Sequence, residues 1–194
     1  MSLPIATPTP MHLGAPAVAP VGTPVLATVV QLLAERGWHG LSLALVADRA
    51  GVDPVEVERT WGSLPALVGA AVAGVPVVVD RGDAGSTAAD LLRVVEHWGR
   101  PLGRDELAVA AVAEAAGGDR RLRAGVEVAV TDAVQEVMCA VAARARRRGE
   151  PMGPARQQWV TAVLGGVVWD RITGRGRPVP AARRAELVDS ILAA

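Results

Sequence analysis

Three observations predict an all-α fold. Apolar residues recur at three- and four-residue spacing along most of the chain, capping residues stand where those runs begin, and no strand-like alternation or tandem repeat competes. Hydrophobic residues make up 51% of the 194, enough for a substantial core. That length suits one medium domain, or a small domain joined to a larger one.

A first helix is expected from Pro24 to Arg36, with Val25, Val29, Leu32 and Leu33 on one face and Gly37 as its stop. Ser42 is a natural N-cap for a short helix carrying Leu43, Val46 and Ala47. Asp53 caps the next, with Pro54 at N1 and Glu56 at N3 as the glutamate of a capping box. Ser63, or Gly62, opens a fourth helix through Leu67 and Val72. "VPVVVDRGDAGST" (75–87) then reads as Pro/Gly-rich, with the connector placed at 75–86. Helices are expected beyond it at 87–99 and 104–116. A long one is expected at 119–148, carrying Leu122, Val126, Val130, Val134, Val137 and Val141, and two more at 155–173 and 180–193. The cations Arg144, Arg146, Arg147 and Arg148 suit the negative end of the long helix, and Gly149 suits its C′ position. The chain thus divides into a Pro/Ala-rich arm over 1–23, a small helical domain over 24–74, and a larger one over 87–194.

The chain has 20 basic and 20 acidic residues, so net charge marks it as neither a nucleic-acid nor a membrane binder. All the basic residues are Arg, and Asn, Phe and Tyr are missing along with Lys. These four types share AT-rich codons, which explains Arg where Lys is common. Residues 1–75 hold three Arg against five acids, a net of 3 − 5 = −2, leaving +2 for the rest. One cysteine, Cys139, excludes an internal disulfide and fits a reducing cytoplasm; it reads as a small buried hydrophobe. The arm lacks the charged start and continuous apolar core of a signal peptide. Residues 60–79 carry no charge, but Gly62, Pro65, Gly69, Gly74 and Pro76 interrupt them, so no membrane span is expected. No metal-ligand, nucleophile or phosphate-loop pattern occurs, and neither a cofactor nor a catalytic residue is expected.

The most specific local motif is Ala47-Asp48-Arg49-Ala50-Gly51-Val52. A small residue lets one helix approach the next, a glycine four positions on supplies left-handed backbone, and a valine is buried behind it. Its wider setting, "LLAERGWHGLSLALVADRAGVDPVEVERTWGSLPALVGAAV", resembles the N-terminal helix-turn-helix domain of the tetracycline-repressor (TetR) family. "VPVVVDRGDAGSTAADLL" and "RLRAGVEVAVTDAVQEVMCAVAARARRRGEP" are similar to that family's C-terminal regulatory domain.

The resemblance implies a homodimer that binds operator DNA through its N-terminal domain and a small apolar or aromatic effector through its C-terminal one. Ser42, Asp53, Pro54, Val55, Glu56, Glu58, Arg59 and Thr60 occupy the DNA-contacting positions. Among them, Glu56 and Glu58 stand where the family commonly has Thr and Tyr, and Thr60 where it has His. Leu64 replaces a phosphate-binding Lys, and the arm carries no Arg. Glutamate can still accept from cytosine N4. For the effector, an enclosed pocket is expected among 87–116 and 119–141, lined by Trp98, Leu102, Val109, Val112, Val130 and Val134. Ala108, Ala110, Ala111 and Ala113 would leave room between the helices. His97, with Glu96, is a candidate polar contact there, and Trp159 and Trp169 belong to the pocket, the seam or plain core. Dimerisation is expected through the last two helices, with Val160, Leu164, Val167, Val168, Leu187 and Leu192 as the seam. The reading from another class is a protein of this fold without DNA binding: a small-molecule module, a regulator's partner or a cavity-based enzyme.

Overall fold

The computed structural model describes residues 22–150, 152–174 and 177–193. Nearly all of the arm, and part of the Gly174–Pro178 turn, lie outside the described residues. The helices are α1 (Gly22–Arg36), α2 (Leu43–Ala50), α3 (Pro54–Trp61), α4 (Leu64–Ala73), α5 (Thr87–Glu96), α6 (Arg104–Ala113), α7 (Arg120–Glu127), α8 (Ala133–Arg147), α9 (Pro154–Thr173) and α10 (Ala181–Ala193). The described residues contain no strand, as the spacing predicts. None of their helices is long and apolar enough to cross a membrane.

The capping residues act as read from sequence, with one exception. Ser42 accepts from the Leu45 N–H, Asp53 from Val55 and Ser63 from Ala66, at 3.2, 2.9 and 3.3 Å. Gly51 takes left-handed backbone at φ 68°, and the Val52 N–H returns to the Ala47 carbonyl at 3.0 Å. Glu56 does not complete a capping box. Its carboxylate stands 3.9 Å from Arg59, one turn along, so a charge partner replaces the backbone amide.

The expected long helix is not continuous. A π-helical turn, Val128–Asp132, joins α7 to α8, and the sequence contains the reason. Leu122, Val126, Val130 and Val134 are spaced by four, and each such step drifts about 40° around a regular helix. Three steps would carry Val134 off the apolar face. A π turn absorbs one extra residue and rotates the face back. Leu122, Val126, Val130, Val134, Val137 and Val141 consequently all lie buried. The wider turn also frees the Ala129 carbonyl, which accepts the Val77 N–H of the connector at 3.0 Å.

The two expected domains do not have separate cores. Val29, Leu32, Leu33, Val46, Ala47 and Val57 belong to one buried cluster that also contains Trp98, Val109, Leu122 and Val134, with Val52 and Trp61 packed at its edge. α1 packs on α6, and α4 on α7. At the second crossing the backbones touch. A Cβ at Gly125 would run into the Gly69 carbonyl oxygen, and one at Gly69 into the Arg121 carbonyl. Glycine is required at both positions.

The connector is held by ions as well. Arg144 forms a two-pronged pair with Asp80 at 2.8 Å on each prong and meets Asp90 at 3.0 Å. Arg148 joins Asp90 at 3.0 Å and Asp83 at 2.7 Å, and Asp90 also accepts the Ala84 N–H at 2.7 Å. Arg144 and Arg148 are therefore clamps on the connector, beyond their part in the helix end. Arg144 holds the Asp80 carboxyl below its usual range. Burial alone would raise Asp90, but the Ala84 N–H and both guanidiniums outweigh it and lower that group too.

Gly125→Ala should destabilise the protein by about 1–3 kcal/mol, because the obstacle is backbone that cannot swing aside. Gly117→Ala, where a Cβ meets nothing within 4 Å, should be near neutral in the same urea titration. The acid response has a definite sign. Asp80 and Asp90 titrate lower in the folded chain, so their stabilisation is complete above the unfolded carboxylate pKa of about 4 and vanishes as pH falls through the native values. Asp90→Asn, which leaves the buried Arg144 short of a counter-ion, should cost about 3 kcal/mol at pH 7. It should also flatten the dependence of melting temperature on pH below 4.

Candidate DNA interface and effector clefts

α2 and α3 present a surface that the core does not need. Val46, Ala47 and Val57 point inward and are fully buried. Ser42, Asp53, Pro54, Val55, Glu58, Arg59 and Thr60 are all exposed, and Glu56 is half-buried. The sequence-derived contact residues are thus left in solvent around α3 and its N-cap, with Val55 at 69% exposure, the highest among the large exposed hydrophobics. Their chemistry is unequal. Asp53 is occupied by the α3 N-terminus, Thr60 donates to the Glu56 carbonyl at 2.8 Å, and Arg59 shares its charge with Glu56. Glu58 has no such partner among the described residues. A further cation arrives from outside this segment: Arg121, in the first turn of α7, donates to Ser63 Oγ at 3.2 Å. Nothing in the local sequence of α3 or α4 signals it, because the two residues lie 58 positions apart.

The six side chains expected around the effector pocket are packed in or against the core. Trp98 is 1% exposed, and Val109, Val112, Val130 and Val134 are packed into the same core, while Leu102 is half-buried against it. None of these six lines the two clefts that border this core. Among the small side chains of α6, Ala108 leaves no void, while Ala113 lines a cleft. Ala108 is fully buried, and the helix draws close to α1 instead, as dense interior packing favours.

Two clefts border the core. One, of about 430 Å³, lies between the end of α6, the second half of α7, the π turn and α9. Ala113, Ala116, Val126 and the exposed Trp169 give it an apolar lining, with Glu114, Glu127 and Thr131 around them. Arg123 braces it by donating to the Ala116 and Gly117 carbonyls at 3.4 and 2.8 Å. The other, of about 440 Å³, lies under the connector and is polar, lined by Arg81, His97, Arg100 and Glu106 among others. Glu106 is buried there. It accepts from the Gly103 N–H at 2.7 Å and from Arg100 at 2.8 Å, and Arg171 stands 3.6 Å away. Arg171 in turn donates to the Arg100 carbonyl at 2.9 Å. Burial pushes the His97 pKa down, although the Glu106 carboxylate 3.8 Å away opposes the shift. The imidazole is therefore neutral at pH 7.

Of the residues expected at the dimer seam, three are taken up by the monomer's core and three are half-buried beside it. Val160, Leu164 and Val168 are buried in its core, and Val167, Leu187 and Leu192 are packed against it. Another stripe of α9 is exposed: Ala155, Trp159, Ala162, Gly166, Trp169 and Thr173. Its spacing alternates four and three, the pattern of a helix–helix seam.

A family model described as "Tetracyclin repressor-like, C-terminal domain" matches residues 81–191. No curated protein sequence matches the chain significantly. Among solved structures, the chain is similar to the TetR family transcription regulator SCO0332 at 25% identity and a TM-score of 0.63, covering 89% of this chain and 97% of that one. It is also similar in fold to GusR of Salmonella enterica (15% identity, TM-score 0.62, 90% and 96% covered). EbrR, a multidrug binding protein solved in complex with proflavin, is a third (20% identity, TM-score 0.61, 88% and 99% covered). With the family match over more than half its length, and the helix-turn-helix expected from residues 42–61 in place, the chain belongs to the TetR family of transcriptional regulators.

Proposed function

We propose that this regulator is a homodimeric repressor that binds operator DNA through α2 and α3 and loses its grip when a small apolar or aromatic effector binds. The observation that carries the reading is the exposure of α3, which keeps Pro54, Val55, Glu58, Arg59 and Thr60 in solvent together with its N-cap Asp53, while Val57 is buried and Trp61 packs at the core's edge. An exposed valine and an exposed arginine on one short helix suit direct readout. Val55 can meet a thymine methyl, and Arg59 can meet guanine O6 and N7. Glu56 and Glu58 are the residues that oppose it, since the phosphates repel them.

The α9 stripe supports the dimer. Trp159 and Trp169 are each more than 40% exposed, and between them Ala162 and Gly166 allow a second helix to approach closely. A Cβ at Gly166 meets nothing within 4 Å. The effector site of this reading is the apolar cleft beside Trp169, where the lining is apolar around a few polar groups. EbrR, which shares the fold and was solved with proflavin, supports an effector role. A regulator without DNA binding is the second reading, favoured by the charge of residues 22–74, which is 3 − 5 = −2.

Duplex DNA binding at low salt separates the readings: repression requires it, and its absence would leave the second. Within the first, Glu58→Tyr should tighten binding by roughly three- to tenfold at 50 mM salt, because an unpaired carboxylate leaves the phosphate field. Glu56→Thr should gain less, since Arg59 already offsets that charge. Gly166→Arg should convert the dimer to a folded monomer in sedimentation velocity, leaving the helical circular dichroism unchanged. A Gly166→Arg protein that still sediments as a dimer would place the seam elsewhere.

A further inference from the structure

Resting on the operator-binding reading, we infer that Arg121 is a DNA-backbone contact: the regulatory half of the chain supplies the phosphate anchor that the helix-turn-helix segment lacks. Three observations converge on it. The first is charge. Residues 22–74 carry −2, whereas residues 119–123 hold Arg120, Arg121 and Arg123 against Asp119, a net of 3 − 1 = +2. Arg123 is engaged with the Ala116 and Gly117 carbonyls, and Asp119 with the Arg121 and Leu122 amides, which leaves Arg120 and Arg121 as the outward cations.

The second is position. α3 has eight residues, about 12 Å of helix, close to the width of the major groove. The residues just past its C-terminus therefore stand over the sugar–phosphate rim, and Ser63, the N-cap of α4, comes two residues after Trp61. The Arg121 backbone lies against Gly69, six residues along α4 from Ser63. Its side chain runs back about two turns to place Nη1 3.2 Å from Ser63 Oγ.

The third is preorganisation. The Gly69–Gly125 contact fixes α7 on α4, so the guanidinium sits at the α3–α4 junction without a freely swinging backbone beneath it. One hydrogen bond to a hydroxyl leaves the other guanidinium N–H groups of this exposed residue for a phosphate, which matches their fork geometry. Arg121 has no carboxylate partner among the described residues.

Non-specific binding to DNA is electrostatic, so the test needs no known operator. The full-length dimer would be titrated onto a fluorescein-labelled random-sequence 30-bp duplex by anisotropy, from 25 to 200 mM NaCl. Arg121→Gln should weaken binding several-fold at 50 mM. It should also reduce the slope of log K against log salt by about 0.9 for each engaged head, close to 2 for the dimer. Arg121→Lys, which keeps the charge and changes the cap contact, should keep the slope. Arg183→Gln, on α10 and 77% exposed at its side chain, makes the same charge change elsewhere and should alter neither quantity. A merely structural role for Arg121 would lower the melting temperature and leave the slope intact, overturning the inference. Wild-type binding with an Arg121→Gln slope equal to wild type would also overturn it while leaving the operator reading standing. A folded wild type that fails to bind at 25 mM would overturn both.

Discussion

The contact between Gly69 and Gly125 constrains much of the molecule, because it sets the distance between α4 and α7 at backbone contact. No side chain intervenes there to act as a cushion. The helix after α3 and the third helix of the C-terminal half therefore move as one piece, and the two halves of the chain share a single core. α7 carries three further features along its length. Its first turn reaches Ser63, its last turns wall the apolar cleft with Val126 and Glu127, and the π turn beyond it holds the connector through Val77. A ligand that displaces the cleft wall must displace a helix already in contact with the DNA-binding half.

What the sequence disclosed and what it hid divide by range. The caps Ser42, Asp53 and Ser63 and the left-handed Gly51 act within three or four residues, and each was legible. Glu56 shows the limit even there: a capping box and an i, i+3 ion pair use the same spacing, and the nearby Arg59 decided between them. The four-residue spacing of Leu122 to Val134 announced an apolar stripe, and its excess over the helical repeat was the signal of the π turn. Arg144 and Arg148 looked like helix-end cations because their partners Asp80, Asp83 and Asp90 lie 54 to 65 residues away. The close packing of α6 was illegible for a different reason. Small residues such as Ala108 can mean a void or a close approach, and only the packing of α1 against α6 selects the second.

The seam turns on the kind of apolar residue rather than the amount. Hydrophobicity alone points to Val160, Leu164 and Val168, which turn inward. The outward stripe is written in small residues and two tryptophans, and its four–three spacing was as readable as any motif in the chain. Branched apolar residues fill a monomer's core, whereas alanine and glycine mark where another backbone can come near. Trp169 belongs to both features, standing on the exposed stripe and lining the apolar cleft. On the proposed dimer, the effector cleft and the seam therefore share a wall.

Weak grip and rigid coupling fit together. α3 offers DNA one arginine, partly neutralised by Glu56, so a single head would have few phosphate contacts and a modest affinity. Two heads held at a fixed spacing gain by effective concentration, and that gain disappears when the geometry forbids both from engaging at once. A regulator with strongly basic heads would stay bound through either head after its spacing changed. One with acidic heads falls back on the poor affinity of a single head, so a small rearrangement at the seam has a large effect on occupancy. On the proposed operator-binding dimer, the glutamates of α3 would cost affinity but sharpen release, and the geometry of the dimer would carry much of the burden of holding DNA.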